Sequence, residues 1–317
     1  MNPIELTGLR ADLPIGAMAA FGCLRVCQRL PELRGAKLAW AASGVHAVLW
    51  TPAETSREEL VALLMQDVRK AENRDELKWS EQIKTASRDE FRKGAKKALD
   101  GATGGDHEAA DWFSAFGSEL VLDREGRIES TPFDMSVARQ KFLADARRLA
   151  AGLSERAGRS GKSATDAYTE ALFGPWKYAD DQHSLGWDPT TMKLGAFAYK
   201  APASMVNSGV RAAVWLAFES LPLFPCFCSR GLQLPSFRHA RREFTLCWPV
   251  WQAPISLDTL KCLLGLAALT QDSPPEEELA ARGVTAVYRS ARFKPNKYLA
   301  NFRTPELAFG GAAGVER

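Results

Sequence analysis

The segment from Pro14 to Cys27 is apolar on nearly every side of the helix that its residues favour. Proline is common in the first turn of a helix, so Pro14 marks the start. A helix that is apolar all round is buried. Its longest near-apolar run, Pro14 to Leu24, is about half of the ~20 residues that a membrane-spanning helix needs. The rest of the chain must therefore fold around this helix, and Gly16 and Gly22 favour a close approach to a sheet.

Extended and helical patterns follow one another along the remaining sequence. A turn at 42–44 predicts a β-hairpin made of 37–40 and 45–50, preceded by a short strand at 4–6. Apolar residues at helical spacing predict a series of helices, the first of which has an N-terminal signal at Ser56. We expect helices at 56–68, 87–99, 108–116, 136–153, 164–172, 207–219 and 256–269, and further strands at 243–251 and 284–293.

This mixture predicts an α+β fold that is rich in helices and contains short antiparallel sheets. The 317 residues are enough for two domains, on a prior of ~150 residues per domain. The polar, glycine-containing segment 154–165 is the best boundary. We therefore predict an N-terminal α+β domain over 1–158, with a β-α-β-β start followed by helices, and a basic C-terminal domain over 159–317.

A net charge of +3 hides an uneven distribution of charged residues. Residues 1–188 contain 26 Lys or Arg and 29 Asp or Glu, whereas residues 189–317 contain 15 and 9. Within the second part, 195–242 contains six basic residues opposed only by Glu219, and 279–305 contains six basic residues and no acidic one. Such segregation creates a local positive potential that a polyanion can use.

Aromatic residues are interleaved with the basic ones in the second of these tracts. Arg and Lys neutralise phosphates, while Tyr and Phe stack on exposed bases. In a helix Arg289 and Arg292 would share a face, whereas in a strand they would point in opposite directions. Asn207 and Asn296 are candidate base readers, because asparagine can bond bidentately to adenine. The predicted nucleic-acid-binding residues are Arg230, Arg238, Arg241, Arg242, Arg289, Arg292, Lys294, Asn296, Lys297 and Arg303.

Motifs for other chemistries are weak. The segment 158–163 resembles a phosphate loop, but the glycine that such a loop needs at position 156 is Arg156. The six cysteines and four histidines lack the paired spacing of a zinc site. We therefore predict no catalytic residue and no cofactor. Two alternatives stay open: a structural adaptor whose basic face binds acidic protein partners, and a metal-dependent nuclease that uses Asp180, Asp181, His183 and Asp188.

Three patches of the sequence resemble proteins encoded with type I-G (formerly I-U) CRISPR systems. They are the pattern GLRxDxPxGxxAAxGxxR at 8–25, the segment FGPW at 173–176 followed by WDP at 187–189, and the turn LPLFP at 221–225. The resemblance implies a large-subunit-like component of a crRNA-guided DNA surveillance complex in antiviral defence. Such subunits contact the protospacer-adjacent motif, hold separated DNA strands and dock a helicase-nuclease.

From the resemblance and the basic tracts together, we predict a non-catalytic subunit that contacts target DNA and crRNA. Its other partners would be the remaining subunits of the complex and a helicase-nuclease recruited in trans. The sequence lacks a membrane span and the positive start of a signal peptide. Its cysteines are typical of a reducing compartment. We therefore expect a cytoplasmic location and no membrane partner.

Overall fold

The computed structural model describes residues 1–102, 106–137, 139–154, 162–181, 184–191, 208–240, 243–296 and 299–310. Across these residues the protein is a mixed α+β structure, richer in helix than in strand, and its sheets are small and antiparallel. The predicted fold class is therefore confirmed. No helix in the described ranges is long and apolar enough to cross a membrane.

Residues 2–51 contain a three-stranded sheet with β3 in its centre. Its strands are β1 (Asn2–Arg10), β2 (Lys37–Trp40) and β3 (His46–Thr51). β2 and β3 form the predicted hairpin, with Lys37 opposite Trp50. β1 is longer than the predicted strand at 4–6 and pairs with the other edge of β3.

Helices account for most of the described residues between this sheet and residue 219. Serine side chains accept hydrogen bonds from the backbone at the starts of α2, α4 and α7, where an acidic residue three positions later completes a capping box. The described α-helices are α1 (Pro14–Arg29), α2 (Arg57–Val68), α3 (Asp75–Lys78), α4 (Arg88–Asp100), α5 (Glu108–Phe116), α6 (Phe142–Ser154), α7 (Ala164–Phe173), α8 (Arg211–Glu219), α9 (Leu257–Leu264) and α10 (Glu276–Ala281). Short 3-10 turns lie at Arg69–Asn73, Ile83–Thr85, Pro189–Thr191, Leu221–Leu223 and Ala267–Thr270.

Three predicted helices have wrong boundaries. The helix predicted at 207–219 begins at Arg211, because Gly209 pairs with Asp180 in a β-bridge and Val210 is extended. α6 begins at Phe142 rather than at 136, because Asp134 accepts hydrogen bonds from the backbone N and the Oγ of Ser136 and holds that segment in a turn. The predicted helix at 256–269 ends at Leu264, and Gly265 separates it from the 3-10 turn that follows.

The apolar helix α1 is buried over Pro14–Cys27, as predicted, and Arg25 is the charged residue within this stretch. It packs against α8, in which every residue is buried. Two buried helices in contact explain why neither shows the one-sided apolar pattern of a surface helix.

The two glycines of α1 approach different elements. A Cβ on Gly16 would lie 2.3 Å from the carbonyl oxygen of Arg10 at the end of β1. A Cβ on Gly22 would lie 1.7 Å from the carbonyl oxygen of Leu216 in α8. Gly16 therefore meets the sheet as predicted, whereas the prediction for Gly22 is wrong because its neighbour is a helix.

Glu219, at the end of α8, is fully buried within a network of arginines. Its carboxylate lies 2.5 Å from Arg74, 2.9 Å from Arg29 and 3.1 Å from Arg25. Glu108, the first residue of α5, contacts Arg25 and Arg29 at 2.6 Å and 2.7 Å. Burial alone would raise the pKa of Glu219, but the three guanidinium groups outweigh burial and hold that pKa well below its usual range.

A second sheet lies in the C-terminal part of the chain. Its main order is β11-β10-β9-β8, and β12 also pairs with β10. The strands of this sheet are β8 (Phe237–Ala240), β9 (Glu243–Trp251), β10 (Val284–Asn296), β11 (Leu299–Phe302) and β12 (Glu306–Phe309). Two short antiparallel pairs precede it in the chain. They are β4 (Gly117–Leu122) with β5 (Ile128–Ser130), and β6 (Phe227–Cys228) with β7 (Leu232–Gln233). The predicted strands 243–251 and 284–293 are thus confirmed, and β10 continues three residues further. From Arg292 onward, β10 pairs with β11.

Contacts link the two larger sheets. The indole Nε1 of Trp248 donates to the carbonyl oxygen of Ala11 at 2.7 Å, and that of Trp251 donates to Leu38 at 2.9 Å. The buried apolar side chains of the described ranges form a cluster with members from both 1–158 and 159–317. The division into domains at residue 158 stays a prediction.

Candidate nucleic-acid interface

A groove of about 440 Å³ lies where β10 extends past its pairing with β9. We call it the β10 groove. Three of its described lining residues are cationic, and Glu243 is the acidic one. The described lining consists of Glu243, Phe244, Arg292, Phe293, Lys294, Pro295 and Arg303.

Arg292 and Lys294 lie two positions apart on β10, so they share one face of the strand. Arg292 is held in place, because its Nη2 donates to the carbonyl oxygen of Asp134 at 3.0 Å. Lys294 is exposed. Partial desolvation of its ammonium group lowers the pKa of Lys294, and the positive charges of Arg292 and Lys84 lower that pKa further. Cations therefore accumulate on this side of the groove, where an anion would relieve their repulsion.

Aromatic rings line the groove beside these cations. The guanidinium of Arg303 lies 4.8 Å from the centre of the Phe293 ring, and its Nη2 is 3.9 Å from Glu243. The Phe244 ring stacks on His239 with 4.3 Å between ring centres. Both phenylalanines are partly exposed. Grooves that bind single-stranded nucleic acid combine cationic side chains, which contact the phosphates, with aromatic rings, which stack on the bases.

Arg289 lies on the opposite face of β10 from Arg292, as expected for residues three apart in a strand. Its Nη1 donates to the carbonyl oxygen of Asp272 at 3.0 Å, and its Nη2 donates to Leu269 at 3.4 Å and to Gln271. These bonds satisfy carbonyl groups where the 3-10 turn 267–270 ends. Arg289 is not part of the groove lining, and a phosphate would have to compete with its carbonyl partners.

The other predicted binding residues are dispersed. Nη1 of Arg238 lies 2.5 Å from Asp272, and Arg230 is exposed in the turn between β6 and β7 with φ +55°. The Oδ1 of Asn296 accepts a hydrogen bond from the backbone N of Leu299 at 3.1 Å, which shapes the turn into β11. Arg241, Arg242, Lys297 and Asn207 lie outside the described residues, so their roles stay predictions.

Two of the three carboxylates proposed for a nuclease, Asp180 and Asp188, are engaged within the fold. Asp180 is buried, and its Oδ2 accepts a hydrogen bond from the backbone N of Arg211 at 2.9 Å. Asp188 is also buried, and its Oδ1 accepts from the backbone N and the Oγ1 of Thr190 at 2.9 Å and 2.6 Å. Burial raises the pKa of Asp188. Asp181 is exposed, and His183 falls in a gap of the description. Within the described ranges, no three His, Cys, Asp or Glu side chains are grouped so as to hold a metal ion.

Sequence reasoning missed two residues of this region. Lys84 lies in the turn Ile83–Thr85, outside the groove lining, but close enough that its charge lowers the pKa of Lys294, and the sequence contains no local signal for this long-range approach. Phe244 lies at the start of the correctly predicted strand 243–251. Pairing that strand with 284–293 in the antiparallel register would have placed Phe244 next to Arg292.

Neither a known protein-family model nor a curated protein matches this chain. The resemblance to type I-G CRISPR proteins therefore depends on the three sequence patches alone.

Proposed function

We propose that the protein binds single-stranded nucleic acid in the β10 groove. The observation that supports this proposal is the placement of Arg292, Lys294 and Arg303 around the same cleft as Phe244 and Phe293. The cations neutralise backbone phosphates and release counterions. The rings stack on unpaired bases, which a duplex does not expose.

The resemblance to type I-G CRISPR proteins supports a place for this activity in a crRNA-guided DNA surveillance complex. In such complexes base pairing reads most of the sequence, while protein supplies positive channels and recognises a short motif. The chain would act there as a non-catalytic subunit that contacts the backbone of target DNA and the protospacer-adjacent motif. It would also contact the crRNA and the remaining subunits, and the helicase-nuclease would be recruited in trans.

Fluorescence anisotropy with labelled single-stranded DNA tests the groove. The probe has about 20 nucleotides, more than the ~4–16 that one single-strand binding fold usually covers. The variant Lys294→Gln/Arg303→Gln removes two cations from the groove. We expect weaker binding and a slope of log affinity against log salt that is smaller by about 1.4, because each single-strand phosphate contact contributes ~0.7.

The matched control is Arg34→Gln/Lys261→Gln. Both residues are exposed and lie elsewhere, Arg34 between α1 and β2 and Lys261 in α9. This variant removes the same formal charge, so we expect it to bind with the wild-type slope. The proposal is contradicted if the groove variant keeps that slope, or if the control loses as much affinity as the groove variant does.

A further inference from the structure

A second basic cleft, of about 490 Å³, lies on α6 and on the chain that leads into it. We call it the α6 cleft. Four of its lining residues are cationic, and they come from a part of the sequence with a net negative charge. The lining consists of Glu81, Arg139, Lys141, Ala144, Arg147, Arg148 and Ala151.

The two acidic groups around the α6 cleft, Glu81 and Asp145, are paired with cations, and the four cations of the lining outnumber them. Asp145 is 14% exposed, because its Oδ2 turns back to accept from the backbone N of Lys141 at 3.1 Å while Oδ1 lies 3.0 Å from Arg148. Glu81 pairs with the ammonium of Lys141. Arg148 remains 68% exposed. Arg139 is exposed and makes no ion pair with any residue in the described ranges.

Arg147 has a different role from the other cations of the cleft. Its Nη1 donates to the carbonyl oxygens of Leu77 and Ser80, the latter at 3.0 Å. These bonds fasten α6 to the chain around α3. Arg147 is therefore left unchanged in the test below, which uses the exposed Arg139 and Arg148.

The α6 cleft and the β10 groove are connected by a short piece of chain. At one end Asp134 accepts from Arg292 of the groove, and at the other Lys141 lines the α6 cleft. Between them the ammonium of Lys84 donates to the carbonyl oxygen and the Oγ of Ser136 at 2.9 Å and 2.7 Å. Seven residue steps span at most ~25 Å even when fully extended. Arg292 and Lys84 thus contact buried residues of this connection, which ends at Lys141 on the α6 cleft.

We propose that the α6 cleft binds the phosphate backbone of the same strand that occupies the β10 groove. This inference rests on the proposed function and extends it to a longer path. No aromatic side chain is among the described lining of the α6 cleft, so its contacts are with phosphates and are independent of sequence. Even at the ~3.4 Å per nucleotide of a stacked duplex strand, about seven nucleotides cover the length of this connection, and an extended single strand needs fewer.

The experiment compares deoxythymidine oligonucleotides of about 3 and about 20 nucleotides, so that the shorter one covers one cleft and the longer one covers both. We expect Arg139→Gln/Arg148→Gln to bind the short oligonucleotide as the wild type does. It should bind the long one roughly tenfold more weakly at about 0.1 M salt, with a salt slope smaller by about 1.4. The groove variant Lys294→Gln/Arg303→Gln should weaken binding of both. Circular dichroism verifies that the variants, which replace exposed side chains, are folded.

The possible results separate this inference from the proposed function. If the wild type binds both oligonucleotides and Arg139→Gln/Arg148→Gln changes neither affinity, the inference is overturned and the proposed function stands. If the wild type binds neither oligonucleotide, the proposed function itself fails. Polyglutamate provides a third arm: if the α6 variant loses polyglutamate binding but keeps DNA binding, the cleft recognises an acidic protein segment and the inference is overturned.

Discussion

Glu219 has a carboxylate that is fully buried, and the surrounding arginines stabilise its negative charge. Arg25 and Arg74 contact its carboxylate and also lie over the ring of Trp112, at 5.5 Å and 5.3 Å from the ring centre. The indole of Trp112 in turn donates to Glu108 at 3.0 Å. Buried charges are tolerated when they are paired and hydrogen-bonded. The apolar helix α1 can contain Arg25 because α5 and α8 supply carboxylates for it.

Replacing Glu219 should therefore be costly. We expect Glu219→Gln to lower the free energy of unfolding by about 3–5 kcal/mol, because it leaves buried guanidinium groups around a neutral amide. Urea denaturation followed by circular dichroism measures this change. The control is Glu278→Gln, which removes an exposed carboxylate 3.2 Å from Arg282 and should cost less than about 1 kcal/mol. Equal losses in the two variants would argue against a stabilising network.

At the scale of elements, the crossing of α1 and α8 determines how the network forms. The approach at Gly22 is a contact between helix backbones, with the carbonyl of Leu216 and the backbone N of Ser220 both within reach of an added Cβ. Arg25 and Arg29 follow Gly22 by about one and two turns along α1, so the same approach brings their guanidinium groups to Glu219.

A methyl group at Gly22 should push the two helices apart. We expect Gly22→Ala to lower the free energy of unfolding by about 1–3 kcal/mol, the usual effect of overpacking a core. The control is Gly101→Ala at the end of α4, where φ is −79° and an added Cβ would be 3.4 Å from its nearest neighbour. That control should stay within about 0.5 kcal/mol of the wild type. If thermal or chemical unfolding shows no difference between the variants, the close crossing is not required.

Element boundaries could be predicted where a local signal decides them. α5 and β9 match the predicted 108–116 and 243–251, because their apolar periods begin and end clearly in the sequence. The start of α6 could not be predicted from its period. There the hydroxyl of Ser136 donates a hydrogen bond to the carboxylate of Asp134, which competes with helix formation, and the spacing of apolar residues gives no sign of such a bond.

The candidate site was only partly predictable. The sequence identified Arg292, Lys294 and Arg303 as basic residues near aromatic ones, and the structure brings these three to one groove. The sequence did not show that Arg289 donates its hydrogen bonds to backbone carbonyl groups within 269–272. That prediction requires knowing which face of β10 packs against which loop. Lys84 joins the region through tertiary packing alone. The formal charge counted from the sequence therefore overestimates the positive charge that is available to bind a ligand.

For the whole molecule, the network makes stability depend on pH. The folded-state pKa of Glu219 lies below its ordinary value of 4.5, so the unfolded chain takes up this proton more readily. The contribution of Glu219 to stability is fully present above about pH 5 and is lost as the pH falls toward the folded-state pKa. We expect the difference in unfolding free energy between the wild type and Glu219→Gln to shrink between about pH 5 and pH 3. Urea titrations across this range measure it, and a constant difference would contradict the assignment.

The burial of the indole rings has a consequence for spectroscopy. Six of the nine tryptophans, among them Trp248 and Trp251, are fully buried, and the described lining of the β10 groove contains none. Intrinsic emission should therefore be blue-shifted in the native protein and protected from aqueous quenchers such as iodide. It reports on the integrity of the core and is insensitive to occupancy of the groove, so a binding titration needs its chromophore on the oligonucleotide.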